Sequence, residues 1–173
     1  MERCEECGFD PAELRPRDMV VAIRSFGRRY RAPLTRGLAG EDLDAIVRTS
    51  PGPGVWSALE YAAHVSQVFA EFDDRARAAL AGDLPDEQVV DWEGRVAAAA
   101  PGLEREATAE AVDDAADSLA TTLSELNEDE WELPTLTGRG REVPVTELAV
   151  IAVHEGSHHL LDVGRVLRSA RGR

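Results

Sequence analysis

The chain has 173 residues, of which 43% are hydrophobic and 30% are charged, and its formal net charge is −14. This length and composition suit one domain with a substantial core, whereas the negative charge would repel phosphate backbones and anionic lipid. Nucleic acid and membrane surfaces are therefore excluded as expected partners, and a small molecule is the expected substrate. Because no apolar run could span a bilayer and the N-terminus is acidic rather than basic and apolar, we expect a cytoplasmic protein.

The N-terminal segment, residues 1–17, contains the two cysteines, Cys4 and Cys7, followed by Gly8. One CxxC cannot staple a domain of this size, so the core must supply the stability. The spacing is that of a zinc knuckle, in which the glycine permits a tight turn and two sulfurs meet one ion. Such a second metal site needs further ligands, either His159 with a carboxylate or the cysteine pair of a second copy. The alternative is a reduced, mobile N-terminus without a metal.

The remainder of the chain, residues 18–173, is predicted to form one helical domain. Asp18 is the expected N-cap of the first long helix, because apolar residues recur beyond it at three- and four-residue spacing. A short amphipathic segment follows around residues 41–47. The proline- and glycine-rich residues 50–54 then cannot continue a helix and are predicted to form a loop.

The second long helix is predicted from a capping box at Ser57 and Glu60, where each side chain accepts a hydrogen bond from the other residue's backbone N–H. His64 lies on its inward-facing stripe. Gly82 is placed to end the helix as a left-handed C-cap residue.

The second half of the chain is predicted to add two long helices. A less regular helical segment is expected over residues 86–100, and Thr108 is the expected N-cap of the third long helix. Residues 128–142 are expected to form a polar loop, and the last helix is expected to begin near residues 144–146. Four long helices without a convincing strand indicate an all-α four-helix bundle with long connections.

The histidines form the candidate metal site. His154 and His158 are four residues apart on the last helix, so their rings project from one face and can share an ion. This row also carries Ile151 and is predicted to face inward, whereas His159 lies about 100° further round the helix. His64 is the remaining histidine, and we predict that His64, His154 and His158 bind one divalent metal ion. The alternative is that each is a core histidine paired with a carbonyl or carboxylate.

Three neutral imidazoles would leave the ion its full charge and one to three open positions. Sites of this type are generally catalytic or ligand-binding, because structural zinc sites close all four positions. Zinc is the first expectation, with nickel, iron or cobalt as alternatives for the same ligands.

Two segments resemble the metal-ligand segments of the DinB-like superfamily. They are Trp56-Ser57-Ala58-Leu59-Glu60-Tyr61-Ala62-Ala63-His64 and His154-Glu155-Gly156-Ser157-His158-His159. The resemblance implies an up-down-down-up bundle, a metal held by three histidines at one end, and homodimers in many members. The mycothiol-dependent maleylpyruvate isomerases of this superfamily use a glutamate for one final-helix ligand, so having both His154 and His158 fits the YfiT-type pattern better.

The resemblance also implies an activity. Several members use bacterial low-molecular-weight thiols, which predicts a thiol S-transferase, with mycothiol as the expected thiol because the composition is typical of GC-rich bacteria. A metal-bound thiol loses its proton near neutral pH and becomes the nucleophile. The alternatives are a metal-dependent hydrolase, with Glu155 or a loop carboxylate as base, and a non-catalytic metal- or ligand-binding protein associated with stress.

Arginines in the connections are candidate contacts for such a thiol. Arg95, Arg139 and Arg141 lie in irregular segments where a bundle would form the rim of a pocket, together with Trp92 and Trp131. Guanidinium groups there could bind carboxylates of the thiol. The alternative is that the arginines are solvated loop charges and the tryptophans fill the core.

Overall fold

A computed structural model describes residues 1–83 and 89–172 and confirms the helical bundle. In these ranges no helix is both long and apolar enough to cross a membrane. The elements are helices α1 (Pro16–Thr35), α2 (Leu43–Arg48), α3 (Ala58–Leu80), α4 (Trp92–Ala99), α5 (Arg105–Ser124) and α6 (Val145–Ala170), with strands β1 (Pro134–Leu136) and β2 (Glu142–Pro144).

The four long helices pack in the up-down-down-up order. α1 and α3 each pack against both α5 and α6, so they occupy opposite corners of the bundle. α1 runs antiparallel to α5, because Arg24 pairs with Asp117 whereas Arg31, further along α1, pairs with the earlier Asp113.

The core between α1 and α6 is tightly packed around one glycine. Tyr30 and Phe26 are fully buried, and the Tyr30 hydroxyl donates a 2.9 Å hydrogen bond to the Gly156 carbonyl. A Cβ atom on Gly156 would lie 2.5 Å from the Phe26 ring. The glycine therefore permits α6 to approach α1 closely, and this approach fixes the rotation of α6 about its axis.

The predicted ends of α3 are confirmed. The Ser57 backbone N–H donates to the Glu60 carboxylate at 2.8 Å, and the Glu60 N–H donates to the Ser57 hydroxyl at 3.3 Å. Gly82, just beyond the helix, has φ +73°, the left-handed conformation expected of a C-cap glycine.

Two predicted N-caps are wrong by three and four residues, which is about one helical turn. α1 begins at Pro16, and Asp18 lies within its first turn, where its carboxylate accepts a 3.2 Å hydrogen bond from the Arg15 N–H. α5 begins at Arg105, so Thr108 lies inside the helix and is buried. Both residues have side chains that could cap a helix, but the helical backbone extends past them on the N-terminal side.

Between α3 and α5, the α-helix of the described residues is shorter than the helical segment expected over residues 86–100. α4 begins only at Trp92, after the cap residue Asp91, whose side chain accepts a hydrogen bond from the Gly94 N–H. Residues 84–88, which include the expected start of this segment, lie outside the described residues.

The loop expected over residues 128–142 contains a small β-hairpin, which corrects the prediction that no strand is present. β1 pairs antiparallel with β2, with Thr135 opposite Val143. Strands of three residues are too short to show the alternation on which a sequence prediction depends. The buried Arg75 of α3 anchors the hairpin by donating to the carbonyls of Leu136 and Thr137 at 2.9 and 2.7 Å.

Candidate metal centre

Two pairs of metal-ligating side chains lie side by side on α6. His154 and His158 form one pair, and Glu155 and His159 form the other, each with the spacing of one helical turn. Because consecutive residues of a helix project about 100° apart, the two pairs face different neighbours. The first pair faces the N-terminal segment and the second faces α3.

The second pair meets His64 of α3. The Glu155 carboxylate lies 3.5 Å from His64 Nε2 and 3.2 Å from His159 Nε2, and the three donor atoms lie within 4.8 Å of one another. Around a tetrahedral ion with bonds of about 2.1 Å, nitrogen and oxygen ligands are about 3.4 Å apart. The separations to Glu155 therefore fit one metal ion without rearrangement of the backbone.

A further carboxylate orients His159. Asp162 Oδ2 lies 3.1 Å from His159 Nδ1, so the ring presents Nε2 to Glu155 and His64. Metal-binding histidines usually bond their second nitrogen to a carboxylate in this way. Burial disfavours the imidazolium, but Asp162 and Glu155 outweigh it and raise the pKa of His159 to about 9. Burial likewise disfavours the Glu155 carboxylate, yet His159 and His64 lower the pKa of Glu155 below its usual range.

Aromatic rings enclose His64 and His159. Trp56 lies 5.1 Å from His64 between ring centroids, and Tyr61 stacks on His159 at 5.4 Å. His64 is only 5% exposed, and its Nδ1 has no hydrogen-bond partner among the described residues. Two imidazoles and one carboxylate are ligands found in catalytic zinc sites, so the donor set of His64, Glu155 and His159 fits a divalent metal ion.

The three donors lie in the wall of a cavity of about 1090 Å³. Trp56 and Trp92 line it, and Trp92 packs on Gly138, where a Cβ atom would lie 2.8 Å from the indole. The cavity is large enough for a small molecule of drug-like size.

The three arginines predicted to contact a thiol differ in their position relative to the cavity. Arg139 and Arg141 line the cavity, whereas Arg95 is not among its described lining residues and pairs with Glu71 at 2.9 Å. Arg141 pairs with Glu147 at 2.7 Å. No described carboxylate lies within ion-pair distance of Arg139. Trp131 is buried, in agreement with the alternative interpretation that the tryptophans fill the core.

The first α6 pair meets the cysteines. Donor atoms of Cys4, Cys7, His154 and His158 lie within 4.8 Å of one another, and Cys4 Sγ is 3.7 Å from His158 Nδ1. A hydrogen bond from the Cys7 backbone, together with the nearby imidazoles, lowers the pKa of the Cys4 thiol to about 6. Burial raises the pKa of Cys7.

A sequence profile described as the DinB superfamily matches residues 27–163. The chain belongs to the DinB superfamily. The matched range includes His64 and both α6 pairs but not the cysteines. No curated protein matches the sequence.

Two solved structures share the fold of this DinB-superfamily chain. YfiT from Bacillus subtilis, described as a probable metal-dependent hydrolase with an unusual four-helix bundle topology, has a TM-score of 0.73 at 9% identity, covering 88% of this chain and 86% of that one. A mycothiol-dependent maleylpyruvate isomerase has a TM-score of 0.71 at 21% identity, over 89% of this chain. This chain spans only 62% of that isomerase. At these identities the likeness shows the fold alone.

In the structure of this DinB-superfamily chain, the three ligands predicted from sequence lie in two separate groups. Among the described residues, His64 is grouped with Glu155 and His159, not with His154 and His158. Ile151 favoured the His154 row as the inward face, but Ile151 is only partly buried and lines the cavity, while His154 and His158 lie beside the cysteines of the N-terminal segment. The one available signal was the four-residue spacing of Glu155 and His159, which equals that of His154 and His158.

Proposed function

We propose that this protein is a metal-dependent enzyme whose divalent ion is held by His64, Glu155 and His159. The observation that carries this proposal is the convergence of these three donors, within 4.8 Å of one another, in the wall of a cavity of about 1090 Å³. Three protein ligands leave at least one position for a substrate, which is typical of catalytic rather than structural sites.

The ligand set inferred from sequence, His64 with His154 and His158, is the competing proposal for this ion. The two sets share His64 and differ at α6, so variants of α6 distinguish them. In a Cys4→Ser/Cys7→Ser background, where the cysteines bind no metal, Glu155→Gln should release the ion if Glu155 is a ligand, whereas His154→Ala should release it if the competing set is right.

Within this class, we propose a thiol S-transferase that uses a low-molecular-weight thiol such as mycothiol. A bound divalent ion would supply the Lewis acidity that lowers the pKa of a thiol and favours its thiolate. The thiol sulfur then forms a bond to an electrophilic carbon, the leaving group departs with its electron pair, and the thiol proton passes to solvent. Arg139 lies where it can bind an anionic part of either reactant.

The role of Glu155 favours thiol transfer over hydrolysis. A hydrolase needs a base for the attacking water, but the Glu155 carboxylate is occupied by His64 and His159. A hydrolase would therefore depend on another carboxylate of the cavity wall, Asp91 or Glu93. The ion would lower the pKa of bound water as well as that of a thiol, so the two reactions differ in the carboxylate that a metal-dependent hydrolase uses to orient the water and move its proton.

The test is conjugation of monochlorobimane with mycothiol, bacillithiol or glutathione by zinc-loaded protein. We expect His159→Ala to lower the rate by about 100-fold or more, because losing a ligand removes the ion. Arg168→Ala, an exposed change on the same helix, should leave the rate unchanged. If no thiol reacts faster with the wild type than with His159→Ala, and the wild type cleaves esters in a metal-dependent reaction, the protein is a hydrolase. If neither reaction occurs, it is a binding protein.

A further inference from the structure

The N-terminal segment folds into a compact turn around the two cysteines. The Cys4 N–H donates to the Phe9 carbonyl and the Gly8 N–H donates to the Cys4 carbonyl, both at 2.9 Å. Gly8 has φ +73°, which a residue with a side chain rarely adopts. This closed turn holds the Cys4 and Cys7 thiols on the same side, towards α6.

α6 presents two imidazoles to these thiols. His154 and His158 lie one turn apart, and the ring of Phe9 contacts His154 at 5.4 Å between centroids. Around a tetrahedral zinc ion, sulfur and nitrogen ligands are about 3.6 Å apart. The 3.7 Å between Cys4 Sγ and His158 Nδ1 matches this separation.

The remaining contacts of the histidines also suit metal binding. His158 presents Nδ1 to the cysteine, while its Nε2 lies 3.4 Å from the Glu6 carboxylate in the turn between the cysteines. A carboxylate on the second ring nitrogen is the usual support for a metal-binding histidine. His154 Nε2 is buried without a hydrogen-bond partner in the described part of the chain.

We propose that Cys4, Cys7, His154 and His158 bind a second metal ion, zinc, in a closed four-ligand site. Two thiolates and two imidazoles complete a tetrahedral shell without water, the arrangement of structural zinc sites. Both cysteines are free rather than joined in a disulfide, so both sulfurs are available. This site is separate from the proposed catalytic ion and uses none of its ligands.

The ion would fasten the N-terminal segment to α6 across about 150 residues of sequence, and Met1 and His158 would thereby be held in the cavity wall. It would also reinforce the α6 rotation that presents Glu155 and His159 to His64. Removing the ion would free two histidines beside the catalytic group, where they could compete for its metal.

The test is metal stoichiometry of the full chain, measured by plasma emission after zinc loading and removal of free zinc. We expect two equivalents in the wild type, one in Cys4→Ser/Cys7→Ser and one in His64→Ala. Cobalt loading assigns them, because only thiolate ligands give an intense sulfur-to-cobalt charge-transfer band. That band should persist in His64→Ala and disappear in the cysteine variant.

Thiol reactivity provides a second measurement that tolerates poor folding of the cysteine variant. Zinc should protect Cys4 and Cys7 of the folded wild type from a thiol reagent, and His158→Ala should abolish this protection. A wild type that binds one equivalent with no thiolate band overturns the second site. If instead only the cysteine variant loses an equivalent and His64→Ala loses none, the second site stands and the catalytic ion is wrong.

Discussion

His158 and His159 are adjacent on α6 and both lie near Asp162, but their other partners differ. His158 lies beside Cys4 and Glu6, whereas His159 contacts Glu155 and stacks on Tyr61. A rotation of α6 by about 100°, the angle between consecutive residues, would place His158 in the environment of His159 and turn His159 away from it. The site therefore depends on the orientation of single side chains more than on the presence of histidine in the helix.

Asp162 is the residue whose contact most directly controls His159. Its carboxylate lies 3.1 Å from His159 Nδ1 and is also bound by Arg165. We predict that Asp162→Asn weakens zinc binding at the His64 group about 10- to 100-fold, because the amide orients and polarises the ring less well.

The affinity for zinc is best measured by chelator competition in the Cys4→Ser/Cys7→Ser background, because only the His64 group is then expected to bind zinc. Asp117→Asn is the matched control, since Asp117 is exposed and its ion pair among the described residues is with Arg24 on the surface. Equal affinities for the two variants would show that Asp162 does not support the metal.

At the level of elements, the approach of α6 to α1 sets the geometry of the site. A Cβ atom at Gly156 would meet the buried Phe26 ring at 2.5 Å, whereas at Gly164 it would lie 3.5 Å from the end of a flexible Arg168 side chain. We predict that Gly156→Ala lowers the free energy of unfolding by about 1–3 kcal/mol through overpacking. Gly164→Ala, on the same helix, should raise it by up to about 1 kcal/mol.

Urea unfolding of the two alanine variants measures both effects. Alanine favours helix over glycine at each position, so only the packing differs. If Gly156→Ala were as stable as Gly164→Ala, the helices would have to be further apart than the structure has them. Loss of zinc from Gly156→Ala at low denaturant would further indicate that the approach of α6 holds the metal ligands in place.

The helices were predictable because their signals are local. The Ser57 capping box, the Gly82 cap and the apolar periodicity all act within one or two turns. The β-hairpin was not predictable, since its position depends on hydrogen bonds from the distant Arg75. Local patterns cannot report contacts that form only after the helices have packed.

The candidate metal-ligating residues could be selected from the sequence, but the grouping that the structure gives them could not. His64 and the α6 histidines stand out because they occur on amphipathic helices. The N-terminal segment, from the other end of the sequence, covers His154 and His158, and the other α6 row meets α3. A periodicity argument assumes that a partly apolar face packs on the bundle, whereas here it packs on the cysteine turn.

For the whole molecule, the formal charge of −14 makes stability depend on how its carboxylates are paired. Asp44, Glu71 and Glu147 each have a pKa below the usual value because arginines bind them. Glu71 joins two parts of the molecule, because Arg75 and Arg95 both donate to it at 2.9 Å. Arg75 in turn holds the hairpin, so this network connects α3, α4 and the cavity wall.

Burial disfavours the Glu71 carboxylate, but Arg95 and Arg75 outweigh burial and lower the pKa of Glu71 below 4.5. Its contribution to stability is therefore complete above about pH 4.5, the value for an unpaired glutamate, and is lost as the pH falls through the lower native pKa. We predict that Glu71→Gln lowers the free energy of unfolding by about 1 kcal/mol at pH 7. This deficit should shrink as the pH falls below 4.5, because the wild-type carboxyl group becomes neutral too.

Urea unfolding of both proteins between neutral and acidic pH, with chelator present throughout, measures this difference without a contribution from metal release. Acid also relieves the repulsion among the excess carboxylates, but it does so nearly equally in both proteins and largely cancels from the comparison. Glu110→Gln, on the exposed side of α5, removes one negative charge just as Glu71→Gln does, and therefore controls for the change in net charge. It should lower the free energy of unfolding little at any pH. A Glu71→Gln deficit that stays constant from pH 7 to strongly acidic conditions would mean that the carboxylate charge is not what binds Arg75 and Arg95 together.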